Sequence, residues 1–414
     1  MPREPSASAA PCGRCGGPAG SCCGRPSRSS GTCPIACATA KWCVLRTSSC
    51  PSDNLRPMSA SPAPICVVVI NHNGRDHLSH CLDSVLALEG PVERVLVVDN
   101  ASDDGSLELI AQRYPGVEVL ARDKNDGPAG ARNAGLERVN SEWVLLLDND
   151  VILEQDCLLR LAAAATSRPD VALVQPRSVF DTERERVHYD GGAPHFLGLV
   201  ALRNFYSPLD KAAAGSLVEV GTVISLALLV HRRSVLACGG FDPDYFILFE
   251  DLDLSYRLRL EGKSLLLDET TLVRHRGGTP QLSFRGGADY PAQRIFLHSR
   301  NRWLFLARNL RARTLLVSLP GLLVYELVYF LFALGQGAAA PWWRGKRDFL
   351  RLLPGTRIRR RQTAARRLLP DRWLLVGGPL VVTPDLARGP RALLQRALDL
   401  TLRAWWLLAR PLAG

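Results

Sequence analysis

The sequence predicts an α/β protein built on a doubly wound, mostly parallel sheet, and three observations carry that expectation. Short apolar runs recur at residues 65–70 (ICVVVI), 94–98 (RVLVV), 117–120 (VEVL) and 143–147 (WVLLL). Runs this short and this uniformly apolar are strands buried on both faces. Between them apolar residues fall at helical spacing, so strand and helix alternate as they do around parallel sheets. Three of the runs stop on Asn71, Asp99 and Asp148. In open α/β sheets the carboxyl ends of the strands are where ligands bind.

Taken in order, the first strand ends in Asn71-His72-Asn73-Gly74, and Leu78, Cys81, Leu82, Val85 and Leu86 mark the helix that follows. The second strand ends in Asp99-Asn100; Leu107, Ile110, Ala111 and Tyr114 mark the next helix. After a short third strand, a polar loop from Asn125 to Gly130 leads into a helix through Val139. The fourth strand runs into Asp148-Asn149-Asp150. Two carboxylates one residue apart at a rigid strand end suit a hard divalent cation that also takes phosphate oxygens. A helix over about 154–165 and a strand at 171–174 extend the sheet. Residues 180–219 are less regular, as an insertion shaping an acceptor pocket would be. Strands are expected again at 223–230 and 265–267. Between these last two, Phe249-Glu250-Asp251 opens a helix that runs to Leu260 and stops at Gly262.

Charge is unevenly placed. Of the net +11, residues 1–57 carry +5, residues 58–335 carry −6 and residues 336–414 carry +12. A mildly acidic central domain therefore lies between two basic segments. Eight of the 12 cysteines fall in the first 50 residues. Their spacing, apart from Cys12-Gly-Arg-Cys15, fits a zinc site poorly. Cys66, Cys81, Cys157 and Cys238 sit among apolar neighbours and read as buried thiols. Residues 1–57 are expected to be a disordered Cys/Pro/Gly-rich extension. Met58 stands seven residues before the first strand, and the favoured reading is that the native protein begins there. No apolar stretch precedes a cleavage site, which argues against a secretory signal.

Seven motifs then stand in a fixed order. They are VVINHNG (68–74), VVDNASDDGS (97–106), NDGPAGARNAG (125–135), LLLDNDV (145–151), GGFDPDYF (239–246), EDLDLSYRLRLEG (250–262) and HRGG (275–278). Together they resemble family 2 glycosyltransferases of the GT-A fold over roughly residues 65–309. The likeness is greatest to bacterial rhamnosyltransferases of cell-wall and O-antigen assembly. That resemblance implies a nucleotide-sugar site. Asp99 would accept the imide N–H of a uracil or thymine ring, with Asn71 and Asn73 beside the nucleoside. His72 departs from the tyrosine common in the family. Asn125, Gly130, Arg132 and Asn133 form a loop entering a helix N-terminus, a natural anion site.

Asp148 and Asp150 match the family's D-x-D motif. Asp150 is expected as a direct ligand of Mg²⁺ or Mn²⁺, Asp148 nearer the ribose, and His275 completes the metal shell. Asp251 matches the catalytic carboxylate, the base that takes the acceptor's proton in an inverting transfer. Glu250 and Asp253 are expected on the acceptor side. The alternatives are a nucleotidyltransferase on a related fold and a non-catalytic membrane-associated binding protein. The first would need a glycine-rich, lysine-bearing loop where this chain has Asn71-His72-Asn73-Gly74-Arg75.

The expected domains are the extension (1–57), a GT-A transferase domain (58–310) and a hydrophobic helix followed by a basic C-terminal region (311–414). Residues 314–335 carry one charge, Glu326, and one proline, Pro320. That length can cross a bilayer, lie in its interface or pack as a core helix. Arginine clusters beside Trp342, Trp343, Trp405 and Trp406 suit an anionic membrane surface, and no nucleic-acid-binding motif is present. The partners implied are a nucleoside diphosphate sugar, a lipid-linked or polysaccharide acceptor and a membrane surface, with no nucleic acid. The place implied is the cytoplasmic face of the cell membrane, peripherally or through one spanning helix. Rhamnose from dTDP-rhamnose is the leading donor.

Overall fold

In the computed structural model the described residues are 63–212, 215, 217–277, 290–381 and 389–414. The extension 1–57, Met58 and Gly278 lie outside them. The first half alternates as expected: β1 (Ile65–Asn71), α1 (Arg75–Leu86), β2 (Val92–Asp99), α2 (Ser106–Arg113), β3 (Glu118–Ala121), α3 (Gly127–Arg138) and β4 (Trp143–Asp148). Next come β5 (Val151–Leu153), α4 (Cys157–Ala165), β6 (Val171–Phe180), β7 (Val187–Tyr189), β8 (Gly192–His195), β9 (Leu199–Leu202) and β10 (Leu217–Glu219). Then follow β11 (Ala227–His231), α5 (Arg232–Ala237), α6 (Glu250–Leu260) and β12 (Ser264–His275).

The main sheet has the order β10-β12-β6-β11-β4-β1-β2-β3, with β5 on β12 and β7 on β6. β1 is parallel to β2 and β4, β2 to β3, and β6 to β12. β11 runs antiparallel between β4 and β6, so the sheet is mixed and mostly parallel. Residues 223–226, expected as strand, lead into β11, and the strand expected at 265–267 is one part of the longer β12.

Side-chain alternation explains why the strands are apolar throughout. Val67 and Val69 of β1 pack with Leu78 and Leu82 of α1, Ile110 of α2 and Leu158 and Leu161 of α4. Val68 and Ile70 turn to the other face, with Ala131 and Leu136 of α3, Val235 of α5 and Leu254 and Leu258 of α6. The four central cysteines are buried and free.

The last third is helical: α7 (Ala292–Asn309), α8 (Ala312–Gly335), α9 (Ala339–Arg366), α10 (Asp371–Leu374) and α11 (Gly389–Ala409). These helices close on α6, where Tyr245 and Tyr256 share a core with Phe305, Leu322, Leu374 and Trp406. Asp371, fully buried, accepts hydrogen bonds from Tyr256 Oη (2.8 Å), the Arg311 amide (2.8 Å) and Thr314 Oγ1 (2.6 Å). One carboxylate thus ties α6, α8 and α10 together.

Candidate active site

The carboxyl ends of β1, β2 and β4 open into a cleft of about 520 Å³. Ile70, Asn100, Asn125, Arg132, Asp148, Asp150, Glu250, Asp251 and His275 line it, as do Arg294 and His298 from α7. Elements distant in sequence therefore bring their polar residues to one cavity.

Asp150 follows β4 and precedes β5, and β5 pairs with the end of β12 so that Val151 faces His275. That pairing sets His275 Nε2 at 3.1 Å from Asp150 Oδ2. Burial pushes the Asp150 carboxyl up, but the hydrogen bond and charge of His275 more than offset it, and the group is held below the usual carboxylate range. Asp148 is engaged differently. Arg132, 3% exposed, donates from Nη2 to Asp148 Oδ1 at 2.7 Å and from Nη1 to Glu250 Oε1 at 3.3 Å. The guanidinium also lies 5.6 Å from the Phe241 ring centroid. Arg132 thus joins the β4 strand end to the start of α6.

Glu250 and Asp251 are the first two residues of α6. Ser225 Oγ donates to Asp251 Oδ1 at 2.5 Å, and burial raises the Asp251 carboxyl above its ordinary range. Burial, with the neighbouring Asp251 charge, pushes Glu250 up to about 8. Its Oε2 is buried with no hydrogen-bond partner. Glu250 therefore holds its proton near neutral pH, and two adjacent carboxylates stand in different environments.

Several expected residues lie behind the cleft wall. Asp99 is 1% exposed. Its Oδ1 accepts from Asn71 Nδ2 (2.8 Å) and Ser102 Oγ (2.7 Å), and its Oδ2 from the Ser102 amide (2.9 Å). Asn71 in turn accepts from Asn149 Nδ2 at 2.6 Å. This network locks the ends of β1, β2 and β4 together. Gly74 makes room for it, since a Cβ there would stand 1.7 Å from Asn149 Nδ2. Asn73 is exposed and accepts from the Asp103 amide at 2.9 Å. Asn133 is occupied by the Phe241 backbone, at 2.7 Å to its carbonyl and 2.8 Å from its amide. Gly130 packs against Asp126. Asp253 is fully buried with Arg257, Arg308 and Asn309 and does not line the cleft. Asn100, itself buried, and the half-buried Asn125 line the cleft and are joined by a 2.7 Å hydrogen bond.

The cleft also uses residues that no motif marked. His188 and Tyr189 come from the irregular insertion, and Arg294 and His298 from one face of α7. The i, i+4 spacing of the last two was the available signal. Burial pushes His298 well below its ordinary value, so its imidazole is neutral. The stretch 246–249 lines the same wall. It holds positive φ at Phe246, Leu248 and Phe249, each costing roughly 1–3 kcal/mol.

For a divalent cation, the Asp150 and His275 side chains form a converging oxygen and imidazole pair suited to Mn²⁺ or Mg²⁺. Among the described residues no group of three or more His, Cys, Asp or Glu side chains could hold a metal ion. Asp148, expected as a third ligand, has one oxygen taken by Arg132. The protein thus offers two donors, and phosphate oxygens would have to supply others.

Carboxylates at the strand ends of a mostly parallel sheet, facing one cleft, fit an α/β protein that binds its ligand there, and comparison narrows the class. The profile for Glycosyl transferase family 2 matches residues 66–218, and that for Glycosyl transferase family group 2 matches residues 143–343. Together the two profiles span residues 66–343, and this part of the chain is made of glycosyltransferase family 2 domains. It is 29% identical over 263 residues to the N-acetylglucosaminyl-diphospho-decaprenol L-rhamnosyltransferase of Mycobacterium tuberculosis, covering 58% of this chain and 83% of that protein. It is 35% identical over 113 residues to the succinoglycan biosynthesis protein ExoO of Rhizobium meliloti, covering 27% of this chain and 32% of that one. The structure of a mannosyltransferase of Pyrobaculum calidifontis in complex with GDP-Man and Mn²⁺ aligns with a TM-score of 0.42 at 18% identity. That alignment covers 86% of this chain and 90% of that one.

Proposed function

We propose that the protein transfers L-rhamnose, with inversion, from dTDP-rhamnose to a sugar carried on a prenyl diphosphate. The observation that carries this reading is the single cleft shared by Asp150, His275, Arg132 and Asp251. The mycobacterial relative is named for L-rhamnosyl transfer onto a decaprenol-linked sugar, which supports donor and acceptor. Asp251 would take the proton of the acceptor hydroxyl as that oxygen attacks the anomeric carbon. Ser225 orients the carboxylate, and Glu250, holding its own proton, keeps a second negative charge away from it. Asn100 and Asn125 are the cleft-lining amides that would face the nucleoside, with Asp99 and Asn71 fixing the strand ends beside them. Asp150 and His275 would hold Mg²⁺ or Mn²⁺, which when bound neutralises charge on the departing nucleoside diphosphate.

The test is a panel of nucleotide sugars incubated with the metal-stripped protein, with and without Mn²⁺. Transfer from dTDP-rhamnose, restored by Mn²⁺ and about tenfold or more above the other donors, is expected. Equal rates with every donor would reject the donor assignment, and undiminished turnover without metal would reject the role of Asp150 and His275.

The C-terminal region is proposed to rest on the cytoplasmic leaflet, with residues 58–310 acting as the transferase domain. Among the described residues one helix, α8, is long and apolar enough to cross a bilayer by length and composition. Its two faces differ. Leu316, Leu323, Leu327 and Leu331 are 55–70% exposed, whereas Ser318, Gly321, Leu322 and Tyr329 are buried against the protein. Glu326 pairs with Arg302 and Lys346 and accepts from Trp303 Nε1 at 2.9 Å. A helix with one face committed in this way supports in-plane seating over spanning. Exposed Leu407 and Leu408 of α11 and the exposed Arg344, Arg347 and Arg351 of α9 add apolar and basic surface of the kind an anionic leaflet attracts. The protein is expected to float with anionic vesicles, and Leu323→Glu with Leu327→Glu to reduce the floating fraction about tenfold or more, since each buried leucine contributes roughly 1.5–3 kcal/mol. Unchanged flotation of that variant would reject this surface.

A further inference from the structure

Three of the four residues 246–249 hold positive φ: Phe246 at 63°, Leu248 at 70° and Phe249 at 75°. None is Gly, Asn or Asp, the types that visit this region at low cost. At Phe246 ψ is −71°, and the Ile247 amide donates to Tyr245 O at 2.8 Å. That is a γ-turn of the rare positive-φ form. Left to itself such a loop would relax, so a partner outside it must hold it.

The partner is on α7. Asn301, fully buried, donates from Nδ2 to the carbonyls of Tyr245 (3.0 Å), Ile247 (2.9 Å) and Leu248 (2.7 Å). Two amide hydrogens serve three acceptors, so at least one of these bonds is shared. Arg300 completes the grip: its Nη2 donates to Tyr245 O at 2.9 Å, and its Nε donates to Asn301 Oδ1 at 2.8 Å. The second bond fixes which way the Asn301 amide faces.

What the loop controls lies at its two ends. Phe249 caps α6, with the Asp253 amide donating to Phe249 O at 2.9 Å, so the loop sets where Glu250 and Asp251 leave the backbone. At the other end Phe246 O accepts from the Ala129 amide at 3.5 Å. Gly127 (φ +72°) lets it approach, since a Cβ there would stand 2.4 Å from Phe246 O. The loop therefore links the start of α3 to the start of α6 across one wall of the cleft.

We propose that Asn301 is a positioning residue for sugar transfer: by gathering the carbonyls of Tyr245, Ile247 and Leu248 it holds residues 246–249 in a strained form that sets Asp251 in the cleft. The proposal rests on the reading of Asp251 as the base. It differs from a plain structural role, which would lower the folded fraction and leave the folded enzyme unaltered.

The experiment compares the full-length protein with Asn301→Ala and with Asn301→Ser, which keeps one hydroxyl donor and so preserves part of the grip if the alanine variant does not fold. Hydrogen exchange at the Phe246 and Ile247 amides is read first, because it needs no substrate. Then kcat per folded protein and the KM for the nucleotide sugar are measured. Exchange at those amides is expected to accelerate about tenfold or more. The kcat is expected to fall about tenfold to a hundredfold, the cost of misplacing a reacting group by about 1 Å, with serine between alanine and the parent and the donor KM little changed. Unchanged exchange in both variants would overturn the grip. Faster exchange with unchanged kcat would overturn the positioning role. A parent protein that transfers no sugar at all, with exchange still responding to the variants, would overturn that role together with the transferase reading beneath it.

Discussion

Asp251→Asn is expected to lower the transfer rate by about 10²–10⁴-fold, the usual worth of a positioned general base, while donor affinity stays within about threefold. The amide is isosteric, and its Oδ1 can still accept the Ser225 hydroxyl that lies 2.5 Å away, so the residue keeps its place and loses only its basicity. Glu250 cannot substitute, because its Oε1 faces Arg132 and it holds its proton up to about pH 8. The pH profile should agree. Burial raises the Asp251 carboxyl and the base must be ionised to act. Activity is therefore lost as pH falls through that raised value, and the acid limb of kcat lies above the ordinary carboxylate range of about 3.9. Rate and donor affinity measured together, across pH, test this; an Asp251→Asn enzyme with parental kcat would remove the base from Asp251.

Arg132→Met is expected to cost about 3–5 kcal/mol of stability, the loss typical of removing one partner from a buried ionic set. The side chain is 3% exposed and stands between Asp148 and Glu250. Methionine fills much of its volume and supplies none of its five donors, so Asp148 would lose the cation 2.7 Å away and Glu250 the N–H that faces its Oε1. Protonating Asp148 recovers part of the loss. Arg132→Met with Asp148→Asn should therefore be more stable than Arg132→Met alone. Urea unfolding midpoints check this, and an unshifted midpoint for the single variant would mean that Arg132 is not the tie between β4 and α6.

What the sequence disclosed about the fold follows from burial. Strands β1, β2 and β4 are apolar on both faces because helices cover both, and they end in Asn71, Asp99 and Asp148 where side-chain hydrogen bonds take over from apolar packing. Direction is not encoded that way: Ala227–His231 is as apolar as its neighbours, and nothing in its periodicity says that it runs antiparallel. Motif residues were legible as a set and less so in their contacts. Arg132 is expected from its motif at an anion site, and its partners in the fold are 16 and 118 positions away in the chain, information that local pattern does not carry. Asn133, Asp253 and Asp99 each make hydrogen bonds within the frame of the site, contacts that sequence does not distinguish from contact with substrate. Asn301 sits in an ordinary helical stretch, HSRNRWLF. Its role comes from three carbonyls that only the folded loop brings together.

The most direct measurement is the anomeric configuration of the sugar at the first moment of its release, followed by proton NMR with dTDP-rhamnose as donor and either acceptor or water as the attacking group. A single carboxylate base at Asp251 in a one-step displacement predicts a product of opposite configuration to the donor. A product that keeps the donor's configuration would require a second displacement, and with it a different assignment of the cleft.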